Sequence, residues 1–206
     1  MTDQNAIRDD IAFLRALAEQ GQRGSLVGGS ILFAAGLIFG AASLTLWWTL
    51  SHGAAWDGWA QWVWPAAAVL FFIYLGLAKA KQRRDGLVRS PAGRMAGVAW
   101  SALGCGMFTI IVSLLVIANR TQDWRPAAAI GPVVLALYGV GWFVAAAAIA
   151  SRWLAVLAAG SFIMGLVTAW FAAEGSATQF LVYGLSILAL AGAPGFVLMR
   201  RASRAA

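Results

Sequence analysis

Residues 95–119 read MAGVAWSALGCGMFTIIVSLLVIAN, 25 positions without Asp, Glu, Lys or Arg, held between Arg94 and Arg120. A helix crossing a hydrocarbon layer about 30 Å thick needs about 20 mostly apolar residues, at about 1.5 Å of rise per residue. The stretch is long enough to cross once and too short for two crossings and a turn. Working outward, five more windows share its character: those between Arg23 and Asp57, Asp57 and Lys79, Arg125 and Arg152, Arg152 and Glu174, and Glu174 and Arg200. One span per window predicts helices over about 27–50, 61–78, 96–118, 126–150, 153–173 and 178–199. The expected fold is all-α, a polytopic membrane protein with six transmembrane helices and a short N-terminal amphipathic helix.

Composition agrees with that class. Hydrophobic residues make up 61% of the chain and charged residues 11%, where an ordinary soluble domain has about 25% charged. The net charge of +7 would suit nucleic acid, but the placement of the basic residues argues otherwise. They sit in the gaps between windows, as basic excess does in membrane proteins. Nucleic acid is therefore not an expected partner. The first 26 residues carry Asp3, Asp9, Asp10 and Glu19 and no apolar run, so the first span is expected to be an uncleaved anchor.

The gaps fix an orientation. On the side of the N-terminus fall Arg8, Arg15 and Arg23, then Lys79, Lys81, Arg83, Arg84, Arg89 and Arg94, then Arg152, and finally Arg200, Arg201 and Arg204. The opposite side has Arg120 and Arg125. Basic residues in short loops stay on the cytoplasmic side, so both termini are expected there. The expected organisation is 1–26 as a cytoplasmic amphipathic helix and linker, 27–199 as the six-helix domain, and 200–206 as a basic cytoplasmic tail. The connection from Lys79 to Arg94 is expected to turn at Gly86, Pro91 and Gly93 and to meet anionic lipid headgroups.

Tryptophan follows the same frame. Trp47, Trp48, Trp56, Trp59, Trp62, Trp64, Trp124 and Trp170 fall near the external face, and Trp100, Trp142 and Trp153 in or near the inner half. An indole is apolar in body and polar at its N–H, which favours the headgroup region. An asymmetric aromatic belt accounts for the cluster between Trp47 and Trp64. The sharper alternative is an external ligand site at Trp56, Asp57, Trp59 and Trp62 for a cationic or flat apolar molecule, with Asp123 and Glu174 on the same side. Belt rings point outward, whereas cage rings face one another.

Two further patterns carry surfaces. Ile7, Ile11, Leu14 and Ala18 recur at helical spacing, flanked by Phe13 and Leu17, which makes 7, 11 and 14 a candidate face for docking a cytoplasmic protein. Its polar side mixes signs (Arg8, Asp9, Arg15, Glu19), unlike the basic stripe of membrane-surface helices. Inside the windows, Gly97, Ser101, Cys105, Thr109 and Ser113 recur every four residues, and Gly28, Gly36 and Gly40 share a row in the first span. Small residues let helices approach closely where lipid supplies no hydrophobic drive, so both rows are expected to pack against neighbours. A homo-oligomer is left open. Pro132 and the run Gly192–Gly195 predict kinks.

No carboxylate, Lys, Arg or His falls within the predicted spans. Proton-coupled transporters usually carry such groups there. With one His (His52) and one Cys (Cys105), neither a bis-histidine haem site nor a cysteine-based metal cluster is expected within one chain. No nucleophile–base pair or phosphate loop is evident, so the expectation is no catalytic residue, no metal and no cofactor.

The segment Asp10-Ile-Ala-Phe-Leu-Arg-Ala-Leu-Ala-Glu-Gln-Gly21, together with Gly28-Gly29-Ser30 and Ala35-Gly36-Leu37-Ile38-Phe39-Gly40, resembles a group of small proteobacterial six-helix membrane proteins of uncharacterised function. The resemblance implies a bacterial inner membrane, and it transfers no catalytic or ligand residue. Some members of that group are encoded beside winged-helix regulators, which fits a cytoplasmic partner for the N-terminal helix. The expected function is a non-enzymatic inner-membrane protein with a binding, scaffold or sensory role. The alternative is a small-molecule permease or exporter component that uses the outer tryptophan cluster and the Ser/Thr row of the third helix.

Overall fold

Apolar side chains offer the backbone no competing partner, so its N–H and C=O groups close on one another within helices. The computed structural model describes residues 28–53, 58–84 and 91–204, together with Arg8 and Ile11, side chains excepted at 91–96 and 202–204. Ile7, Leu14, Trp56 and Asp57 lie outside the described residues, as do residues 85–90, where a turn at Gly86 was expected. Among the described residues there is no strand. The helices are α1 (Gly28–Ser51), α2 (Val63–Arg84, entered by a 3-10 turn Trp59–Trp62), α3 (Pro91–Thr121), α4 (Ile130–Ile149, after the single turn Arg125–Ala128), α5 (Arg152–Ala173) and α6. Helix α6 has three parts: Thr178–Ile187, a π-helical turn Leu188–Gly192, and Ala193–Arg204. Six helices are long and apolar enough to cross a membrane.

Local chemistry sets the ends. Pro91 opens α3, where its missing N–H costs nothing. Helix α5 stops at Glu174, and Gly175 follows with φ of 65°, a left-handed conformation that glycine adopts without strain. Pro132 was expected to kink the interior of the fourth helix. Instead the helix is interrupted at Ala129, three residues earlier, and Pro132 occupies the first turn of α4. A proline ring collides with the carbonyl four residues back, here that of Ala128, and the interruption removes that collision.

Neighbouring helices alternate in direction. α1 packs along the length of α6 and also against α2; α3 packs on α4, α4 on α5, and α5 on α6. α2 and α3 therefore end an arc, and their rings meet at Phe72 and Phe108, 6.4 Å apart. The core joins α4, α5 and α6 through Leu135, Tyr138, Trp142, Leu154, Ala158 and Ile187. The outer faces of α2 and α3 remain apolar and exposed, with Val69, Leu70, Phe72, Ile73 and Leu77 on one and Val98, Phe108, Val112 and Val116 on the other.

Helices α1 and α6 approach backbone to backbone. A Cβ at Gly36 would overlap the Gly192 backbone, and one at Gly195 would overlap the backbone of Phe33. A Cβ at Gly29 would lie 2.9 Å from the Leu198 Cβ, and one at Gly40 would lie 2.6 Å from Leu188. Gly28, expected on this row, has open space around it, and Gly29 takes its place. Ser43 Oγ donates to the Phe180 carbonyl at 2.8 Å and ties the same two helices.

Helix α3 differs from expectation. Ser101, Cys105, Thr109 and Ser113 are exposed, where a neighbouring helix was expected against them, and Gly97 is half-buried. The cause is on the other side of α3. Trp100, Met107 and Ile111 pack against the core, and large side chains make more van der Waals contacts there than a row of small ones. The hydroxyls do not need a neighbour: Ser101 donates to the Gly97 carbonyl at 2.8 Å and Thr109 to that of Cys105 at 2.9 Å.

Candidate functional site

Three groups of residues could carry function: the tryptophan end, the basic end and the aromatic interior between them. At the first, α1 ends beside the turn that opens α2. Trp59 is 58% exposed and Trp62 66% exposed, so the two described tryptophans of the candidate external site turn to the outside. Trp48, also exposed, lies 4.1 Å from the His52 ring and 6.2 Å from Trp47. Trp124 and Trp170 are exposed too. Trp64, expected with this outer group, is half-buried and packs against the edge of the core, 6.0 Å from Tyr183 and 6.1 Å from Phe39. Arg125 and Asp123 approach to 3.6 Å, but both are well exposed, and such a pair contributes little.

The basic end gathers Lys79, Lys81, Arg83 and Arg84 from the close of α2, Arg152 from the start of α5, and Arg200 and Arg201 from the close of α6; all are exposed. The Arg200 guanidinium lies 4.8 Å over the Phe196 ring and that of Arg201 5.6 Å over Trp153, within the range of cation–π attraction. Between α1 and α6 the surface carries an open, shallow groove walled by Phe33, Leu37, Leu188, Gly192, Ala193 and Phe196. Of the N-terminal docking face, Ile11 is described, and it is exposed.

The interior is a connected set of rings. Trp100 meets Trp142 edge-on at 5.4 Å and Tyr138 at 5.6 Å. Trp142 is fully buried, and its indole N–H donates to the Leu190 carbonyl at 2.9 Å. Residue spacing did not reveal this bond. The only sequence signal was Pro194, which withdraws a donor from the carbonyl four residues before it, that of Leu190. Among the described residues, every buried side-chain nitrogen and oxygen has a partner. The buried hydroxyls of Ser161, Thr168 and Ser186 donate to carbonyls one turn back in their own helices. Such groups are occupied with structure, and no set of three His, Cys, Asp or Glu that could hold a metal occurs among the described residues.

No protein-family model, curated protein or solved structure matches this chain. The fold itself defines the class: an all-helical chain with six helices of membrane-spanning length and apolarity.

Proposed function

We propose that the chain is a non-enzymatic integral membrane protein of a bacterial inner membrane, with both termini cytoplasmic and a binding, scaffold or sensory role. The observation that carries this reading is the exposed apolar surface of α2 and α3, placed between an end rich in Lys and Arg and an end rich in outward-turned Trp. Exposed apolar surface on that scale calls for an apolar surrounding, and the two ends match a cytoplasmic and an external interface respectively. The resemblance of residues 10–21, 28–30 and 35–40 to the proteobacterial group supports the choice of membrane.

Within that role, the N-terminal segment docks a cytoplasmic protein through Ile7, Ile11 and Leu14, while the end of α2 near Lys79 meets anionic headgroups. The exposure of Ile11 supports the first assignment. The outward turn of Trp59 and Trp62 favours an aromatic belt over the permease reading, which needs those rings to converge.

A photoreactive residue at position 11 in native membranes tests the docking. The expected result is a crosslink to one cytoplasmic protein, lost when Leu14→Asp is added and membrane insertion is unchanged. Crosslinks only to lipid, or only to the protein's own loops, would make the segment a structural lead-in.

A further inference from the structure

We infer that the interior of the bundle binds water between the phenol hydroxyls of Tyr138 and Tyr183. The inference stands on the helix packing and does not depend on the docking role proposed above.

Both tyrosines belong to the core, Tyr138 being 7% and Tyr183 6% exposed. Among the described residues, every side-chain nitrogen or oxygen sealed inside the bundle has a hydrogen-bond partner. The hydroxyls of Tyr138 and Tyr183 have no such partner there. Neither is therefore sealed: each oxygen borders open space at the end of a packed ring. The buried hydroxyls of Ser161, Thr168 and Ser186 reach carbonyls of their own helices. A phenol is carried past its own backbone by the ring and has no such recourse, and a buried hydroxyl left without a bond is costly.

The two hydroxyls lean toward one another. The Tyr183 ring lies against Gly131 of α4, 3.3 Å from where a Cβ would stand. Tyr138 follows Gly131 on the same face of α4, two turns or about 10 Å further along the axis. Helical side chains lean toward the N-terminus of their helix, so Tyr138 reaches back along α4 toward Gly131 and the ring on it. The two phenols are close enough to interact electrostatically. Trp64 stands 6.0 Å from Tyr183, and its indole N–H is a further donor without a partner among the described residues.

Size and chemistry select the occupant. Trp100 stands 5.6 Å from Tyr138 and Trp64 6.0 Å from Tyr183, separations of rings in direct contact. No flat organic molecule passes between them. The spans around them hold no carboxylate, Lys, Arg or His to balance an ion. A phenol hydroxyl both donates and accepts, which suits a small neutral molecule that does the same. Internal water sits where buried polar groups lack partners, with about two to four bonds to them. Supply is short: Tyr183 is five residues from Thr178 and Tyr138 eight from Ile130, roughly 8 and 12 Å below the tryptophan-rich end.

The test is radiolytic footprinting of the full chain in nanodiscs, in which hydroxyl radicals form from water in place and oxidise the side chains beside it. Tyr138 and Tyr183 should be oxidised although buried. Trp142, more deeply buried and bonded to the Leu190 carbonyl, should not. Diazotised sulfanilate, a charged reagent much larger than water, should label neither tyrosine in the folded protein. Tyr138→Phe should lower the oxidation of Tyr183, and Tyr183→Phe that of Tyr138. Either tyrosine as unoxidised as Trp142 in the parent overturns the proposal, and that reading needs no variant to fold. Sulfanilate labelling of both tyrosines also overturns it, since the hydroxyls would then open on bulk solvent. Undiminished oxidation of Tyr183 in folded Tyr138→Phe does so too, because the hydroxyls would not share their water.

Discussion

Trp142 donates its indole N–H to the carbonyl of Leu190, the carbonyl that Pro194 deprives of its usual helical donor. One residue in α6 opens a hydrogen-bonding deficit and a residue in α4, 48 positions away from its acceptor, fills it. The π-helical turn Leu188–Gly192 sits at the same place. A side chain from another helix thus anchors the irregular part of α6, which would otherwise leave a polar group facing apolar neighbours.

Trp142→Phe should therefore destabilise the protein by roughly 1–3 kcal/mol, the cost of a buried unsatisfied acceptor. Thermal unfolding in detergent measures it. Adding Pro194→Ala, which returns an N–H to the helix, should recover part of the loss, so the two changes should couple by about 0.5–3 kcal/mol. Strict additivity would show that the bond does not compensate for the proline.

The seam between α1 and α6 gives a second expectation. Gly36→Leu places a side chain into the Gly192 backbone and should cost about 1–3 kcal/mol or more by overpacking. Gly28→Leu, with nothing within 4 Å of its Cβ, should be close to neutral. Equal melting temperatures for the two variants would contradict the closeness of the seam.

Cys105 provides a contrast. It is exposed on α3, so Cys105→Leu should change stability by no more than about 0.5 kcal/mol. A larger loss in detergent, with a change in particle mass, would mean that a second copy covers the row from Gly97 to Thr109.

Orientation is tested by reporter fusions. Fusions after Ala206 and within residues 83–89 should report cytoplasm, and one near Gly53 should report the outside. An external signal from the fusion at 83–89 would reverse the proposed map.

The helix count and most boundaries were legible in the charge-free windows. The first span was expected at 27–50 and α1 is Gly28–Ser51; the sixth was expected to begin at 178, as α6 does. α2 was expected to end at 78 and continues to Arg84, because Lys, Gln and Arg are good helix formers and a charge ends an apolar stretch without ending a helix. Spacing also showed that α3 has a face of small residues, but not whether a neighbour would lie on it. That outcome depended on the larger gain from turning Trp100, Met107 and Ile111 to α4. Trp64 was assigned to the outer belt by its position near an interface, and contact with Tyr183 and Phe39 half-buries it against the core. The glycine of the α1–α6 seam at position 29 was missed for a similar reason: a row on one helix acquires meaning only from the helix that meets it. Residues 56 and 57 of the candidate external site, and 7 and 14 of the docking face, lie outside the described residues.

The pairing of the first helix with the last has a consequence for the order of assembly. Ser43 and Phe180 are bonded across 137 positions of chain, whereas α3, α4 and α5 find their partners in adjacent hairpins. During synthesis α4 and α5 can dock as soon as both are made, but Gly36 and Gly40 wait, uncovered, until nearly the whole chain has emerged. Closing so long a loop is the slow step that non-local contacts impose on folding. A chain cut short before Thr178 would keep its local hairpins and be left with an open glycine face on α1. Quality control by the cell's membrane proteases would then act on the first helix, although the defect lies in the last.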